Sequence, residues 1–309
     1  MSDLTKNLFG SGESQADEEA AQGASNEDDE AFFSLKQQRL LMAQIQKQTQ
    51  KKAIRIHATK ALSPQALATS KFGGLPYWNP AEPYPTGKDG KPCILLAQFD
   101  CQQLPPLEGF PRTGLLQFFI SDDGYYGMDL DNQMSQENWR VVYHPVVDNS
   151  ITESMVADMG IPTTCSAEEF DLPFAGEFHL DFELVDTWMG PSSEAFEQEL
   201  QKASVATGLP QPPEGTIPYE MFDQDVYQEM ADWNAGHWLG GYPYFTQDDP
   251  RSPRSDYAAC TTLLFQMDSE GANDDEILWG DSGVGNFFIS PQALQQLDFS
   301  KVLYNWDCF

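Results

Sequence analysis

Four short motifs occur twice in this chain, in the same order. Lys71-Phe-Gly-Gly-Leu-Pro-Tyr77 returns as Trp238-Leu-Gly-Gly-Tyr-Pro-Tyr244, and Leu95-Leu-Ala-Gln-Phe-Asp100 returns as Leu263-Leu-Phe-Gln-Met-Asp268. Phe118-Phe-Ile-Ser121 returns as Phe287-Phe-Ile-Ser290, and Arg140-Val-Val-Tyr143 as Lys301-Val-Leu-Tyr304. One such match is chance; four collinear ones point to an internal duplication. Offsets of 161 to 169 residues are too long for a solenoid. The expected body therefore runs over 61–309, with copies at about 63–145 and 236–309 related by a pseudo-two-fold axis and a linking region at 146–235.

Each motif has a physical reading. Gly-Gly-x-Pro is turn chemistry, since glycine takes positive φ and proline fixes the exit direction. The LLxQ[FM]D, FFIS and VxY runs are β-branched and aromatic, bounded by turn residues, and predict strands. Phe178, Leu180, Phe182 and Leu184 alternate with His179, Asp181 and Glu183, which predicts a strand of an antiparallel sheet with one wet face. Helices are predicted over Ser193–Ala206, stopped by Gly208 and Pro210, and over Tyr219–Asn234, ended by Gly236. Strands dominate and helices cluster, so the fold class is α+β: mostly antiparallel sheet with flanking helices.

Charge organises what precedes the body. The chain of 309 residues carries a formal net charge of −31. Residues 1–30 hold nine acids and one lysine and predict a disordered acidic tail. Residues 31–60 hold seven bases and no acid and predict a basic helix and lead-in, with Phe33, Leu40, Leu41 and Ile45 as its apolar positions. Residue 61 onward is left about 30 units negative, a field that repels nucleic acid and anionic lipid and attracts cations. No apolar run is long enough to span a membrane, and the first residues lack the basic start and apolar stretch of a signal peptide. The five cysteines form no C-x-x-C pair and read as free thiols, so the cytoplasm is the expected compartment.

Catalytic and metal motifs do not assemble. Gly280-Asp-Ser-Gly283 has the letters of a serine-protease nucleophile loop, but none of the four histidines stands in a matching context, and a turn feeding a strand is the better reading. Asp129-x-Asp131-Asn132 lacks the glycine and glutamate of a calcium loop. No His/Cys spacing fits zinc, and no dinucleotide or phosphate loop is present, so no cofactor is expected. What remains is Gln98 with Asp100 and Gln266 with Asp268. In a strand, residues two apart share a face, so each copy places an amide beside a carboxylate. These four are the candidate binding residues, either as tethers of the adjacent turns or as walls of a polar pocket where the copies meet.

At these motifs the chain resembles the bacterial YwqG family (DUF1963), a family of unknown function. The resemblance is carried by Phe72-Gly-Gly-Leu-Pro76, Leu95–Asp100, Gly114-Leu-Leu-Gln-Phe-Phe119 and His237–Pro243. It continues through Trp279-Gly-Asp-Ser-Gly283, Asn286-Phe-Phe-Ile289 and Asp298-Phe-Ser-Lys-Val302. It spans about 63–309 and implies a duplicated α+β fold, with no catalytic residues to carry over. Members often sit near toxin and immunity genes, which implies protein binding. The expectation is thus a non-catalytic module that recognises a basic protein; the alternative is an enzyme using the Gln/Asp pocket.

Overall fold

The computed structural model describes residues 32–165, 172–213, 215, 217–252, 255–271 and 277–309. The expected acidic tail lies outside them. The first set of motifs forms strands β2 (Lys71–Gly73), β3 (Ile94–Asp100), β4 (Leu115–Ile120) and β5 (Trp139–His144). The second forms β7 (His237–Gly240), β8 (Thr262–Asp268), β9 (Val284–Ile289) and β10 (Val302–Asp307). Two further strands lie between these sets: β1 (Lys51–Lys60), placed in the lead-in by sequence, and β6 (Glu177–Thr187), the alternating segment. All ten make one antiparallel sheet in the order β10-β9-β8-β7-β1-β6-β2-β3-β4-β5. The order reads alike from either end about the β1–β6 pair, and the β3–β4 and β8–β9 ladders each slip register at the same place, Leu95/Ala97 and Leu263/Phe265.

The sheet curls almost into a barrel because β3, β4, β8 and β9 are apolar on both faces. Their inner faces meet across the middle. Phe118 lies 4.9 Å from both Phe265 and Phe287, and Phe99 lies 5.1 Å from Phe265, ring to ring. Outside, Leu95, Leu115 and Phe119 pack under Tyr77 and Trp78, while Leu263, Phe288 and Leu303 pack under Phe245. The seam between edge strands β5 and β10 is filled by the β4–β5 loop. Its Gln133 carbonyl accepts the Tyr304 N–H at 3.0 Å, and its Gln136 side chain bridges Val141 N–H and Phe299 O. An unpaired edge is thereby covered.

Six α-helices among the described residues accompany the sheet: α1 (Leu35–Thr49), α2 (Glu153–Ala157), α3 (Phe196–Thr207), α4 (Pro218–Met221), α5 (Gln224–Ala231) and α6 (Pro291–Gln295). Of these α1, α3, α4 and α5 form a separate layer, whereas Val156 of α2 and Ala293 and Leu294 of α6 pack into the sheet's own clusters. Leu41, Met42 and Ile45 of α1 bury against Phe196, Leu200, Val226 and Met230 of α3 and α5. Leu40, expected in that stripe, is exposed, because the 3.6-residue repeat runs through 38, 41, 42, 45 and 49 instead. The single helix expected over 219–234 is broken at Phe222, which is extended, and restarts where the Asp223 side chain caps α5. No helix among the described residues is long and apolar enough to cross a membrane.

Candidate functional site

The repeated glutamines prove to be struts. Gln98 accepts the Tyr77 N–H and donates to the carbonyls of Leu67 and Thr69; Gln266 accepts the Tyr244 N–H and donates to those of Asn234 and Gly236. Each is fully buried and ties together the segments that precede and follow a Gly-Gly turn. Gln117 and Asn286 extend the networks to the Tyr77 and Tyr244 carbonyls. The two glutamines share no hydrogen-bond partner, and the side chains that meet between the halves are phenylalanines. The polar pocket expected at that meeting is therefore not formed there: inner-face positions are apolar, and both amides point outward.

The two aspartates diverge. The Asp100 N–H donates to Ser70 Oγ and its carboxylate caps the Gln102 N–H, which makes a turn and nothing more. The Asp268 N–H instead donates to His237 Nδ1 at 3.0 Å. The ring proton is thus left on Nε2, which lies 2.8 Å from Glu270 Oε1. The His237 side chain is completely buried, whereas Glu270 is 44% exposed. A two-residue bridge between Glu270 and Ile277 fixes the backbone at both its N–H and its carbonyl. Glu270 thus stands beside a buried ring, with both of its backbone polar groups paired.

Asp268 and Glu270 line a cavity of about 250 Å³ open to solvent, with Tyr244, Ser269, Ile277 and Ser282 around it. Burial pushes the Asp268 carboxyl up to about 6, helped by the Glu270 charge and opposed by the Gly236 N–H, His237 and the Ser269 N–H. Burial pushes Glu270 the same way, but the adjoining His237 Nε2–H and the nearby His57 and Arg55 outweigh it and hold Glu270 below the usual range. Ser282, the serine of the protease-like loop, sits at the cavity with φ +61°. With both ring nitrogens engaged, His237 offers it no base, so the loop is a turn.

The raised Asp268 carboxyl has a consequence for stability. Asp268 holds its proton more tightly folded than unfolded, so its contribution to stability grows as pH falls from about 6 to about 4 and is absent above 6. Relative to Asp268→Asn, the native chain should gain on the order of 2 kcal/mol between pH 6.5 and pH 4 in urea titrations. A constant difference across that range would refute the assignment.

Other clusters offer less. A larger cavity, about 390 Å³, carries Lys88 and Lys91, yet each is paired, with Glu137 at 2.6 Å and Asp89 at 3.1 Å. Asp129 Oδ1 accepts the N–H groups of Asp131 and Asn132, a surface turn. Among the described residues, no group of three or more His, Cys, Asp or Glu is placed to hold a metal ion.

His237 and Glu270 escaped the sequence reading. Laying one motif set on the other exposes them: Ser70 stands opposite His237, and Gln102 opposite Glu270. The two motif sets differ where the second carries the acidic site. Compared with known proteins, residues 70–308 match the family model of a domain of unknown function, DUF1963. No curated protein matches the chain.

Proposed function

The chain belongs to the DUF1963 family, and from that membership and the cavity's geometry we propose a non-catalytic binding module whose Asp268–Glu270 pocket takes a lysine or arginine side chain of a basic protein. The observation that carries the reading is Glu270. It is ionised, stands 2.8 Å from the buried His237 ring and is presented in an open cavity whose second carboxylate has only backbone N–H groups as hydrogen-bond partners. A docked cation adds the missing charge, and the Tyr244 ring offers it an aromatic wall. A net charge of −31 steers such a partner toward the surface at low salt. Free thiols at all five cysteines support a reducing cytoplasm as the setting. A toxin or another basic regulator fits this chemistry. The two four-strand sets, with equivalent bulges and equivalent glutamine struts, support descent of the halves from one duplicated unit.

Fluorescence anisotropy with a labelled oligoarginine peptide tests the pocket. Glu270→Gln should weaken binding about ten-fold, or ~1.4 kcal/mol. Asp181→Asn removes the same charge from the exposed strand face and should change binding less than about two-fold. Equal losses in both variants would reduce the effect to diffuse attraction and end the proposal.

A further inference from the structure

A second buried charge stands apart from this pocket. Lys71 opens β2 and is 1% exposed. Its Nζ lies 3.1 Å from Glu177 Oε1, and the Ala66 carbonyl is 3.5 Å away. The other Glu177 oxygen accepts the Gln65 N–H at 3.2 Å. Glu177 reaches this place because residue 74 is glycine: a Cβ there would come within 2.5 Å of the Glu177 carboxyl carbon, and φ is +72°. The second glycine of the Phe-Gly-Gly motif thus makes room for an ion pair. The counterpart of Lys71 in the other half is Trp238, so this pair is as one-sided as the acidic pocket.

Lys71 and Glu177 both line a cavity of about 130 Å³, with Leu67, Leu75 and Thr163 among its other walls. That is room for roughly four waters at ~30 Å³ each, or for one small organic molecule. Burial lowers the Lys71 ammonium below its ordinary range, outweighing the opposing pull of Glu177 and Glu153. A desolvated lysine at a cavity wall, with a carboxylate within hydrogen-bond reach, is an activated amine beside a proton carrier. The acidic surroundings of Glu177 and Glu153 disfavour anionic guests.

We propose that Lys71 is a carbonyl-reactive amine whose cavity admits a small uncharged aldehyde or ketone. The Nζ lone pair attacks the carbonyl carbon, and the carbonyl π electrons move to oxygen, which takes a proton. Glu177 accepts the proton released by nitrogen and returns one to the carbinolamine hydroxyl. Water leaves as the nitrogen lone pair forms the C=N bond, and the iminium nitrogen gives its remaining proton to solvent, replacing the one the carbonyl oxygen took from it. The net change is amine plus carbonyl to imine plus water, with no oxidant or reductant required.

Acetaldehyde with cyanoborohydride, which delivers hydride to the imine, traps the adduct as N-ethyl-lysine on the intact folded chain. Peptide mapping should find Lys71 ethylated about ten-fold faster than the exposed Lys47. A bulky aromatic aldehyde should reverse the order, because the cavity excludes it while Lys47 does not. Cys165 also lines the cavity, but a hemithioacetal is not converted to a stable adduct by hydride, so the readout belongs to the amine. Lys71 ethylated no faster than Lys47, or equally by both aldehydes, would leave the pair as a structural strut and overturn the proposal.

Discussion

Gln266→Leu is expected to lower the melting temperature by about 10 °C. The side chains are similar in volume, so the change removes polarity and leaves little cavity. Three backbone groups lose their partner: the Tyr244 N–H and the carbonyls of Asn234 and Gly236, each at 2.8 Å from the amide. An unsatisfied buried group costs about 1–3 kcal/mol, and the neighbouring open cavity lets water reach some of these, so a total near 4 kcal/mol is reasonable. For a body of this size that corresponds to roughly 2–4 °C per kcal/mol. Gln98→Leu should cost a similar amount. Only Gln266→Leu should also weaken oligoarginine binding, since it unties Ala235 and Tyr244 at the pocket wall. A calorimetric shift under about 2 °C would show that these backbone groups find other partners.

Phe287→Ala should destabilise the whole body by about 4 kcal/mol in a single transition. Phe287 stacks on Tyr304 with centroids 4.4 Å apart and touches Phe118 and Trp139 of the other half at 4.9 and 5.9 Å. One side chain thus belongs to the packing of both halves. Tryptophan fluorescence and far-ultraviolet circular dichroism should give superimposable urea curves in native and variant chains. Two separated transitions would mean that the halves are independent domains, which the shared phenylalanine core argues against.

The repeats located six of the ten strands, because apolar runs bounded by turn residues have few other readings, while the short β2 and β7 lie in the motifs read as turns. The alternation at Phe178–Leu184 located β6. β1 was hidden: Lys51, Lys52, Arg55 and Lys60 read as a basic lead-in, while Ala53, Ile54 and Ile56 are too few to announce a central strand. Its position depends on β6 and β7, far along the chain, and no local pattern carries that. The same limit hid the acidic pocket. Asp268 was legible as a polar residue in an apolar run, but His237 and Glu270 acquire their roles only when β7 lies beside β8. Lys71 looked like the first letter of a turn motif, and its partner Glu177 lies 106 residues away.

The central position of β1 has a consequence during synthesis. Its partners β6 and β7 end at Thr187 and Gly240, about 130 and 180 residues after Lys60. At roughly 5–20 residues per second, the strand waits on the order of 6–25 s with both edges bare and up to about 36 s before the second is covered. Unpaired strands of this kind recruit one another, and lysine or arginine along them is the usual deterrent. Lys52, Arg55 and Lys60 hold positive charge on the segment through that interval, while the acidic surface it will join is still unmade. The basic cluster ahead of an acidic body thus acts in time as well as in space: it guards the strand that is made first among the ten and must wait for partners from both sides.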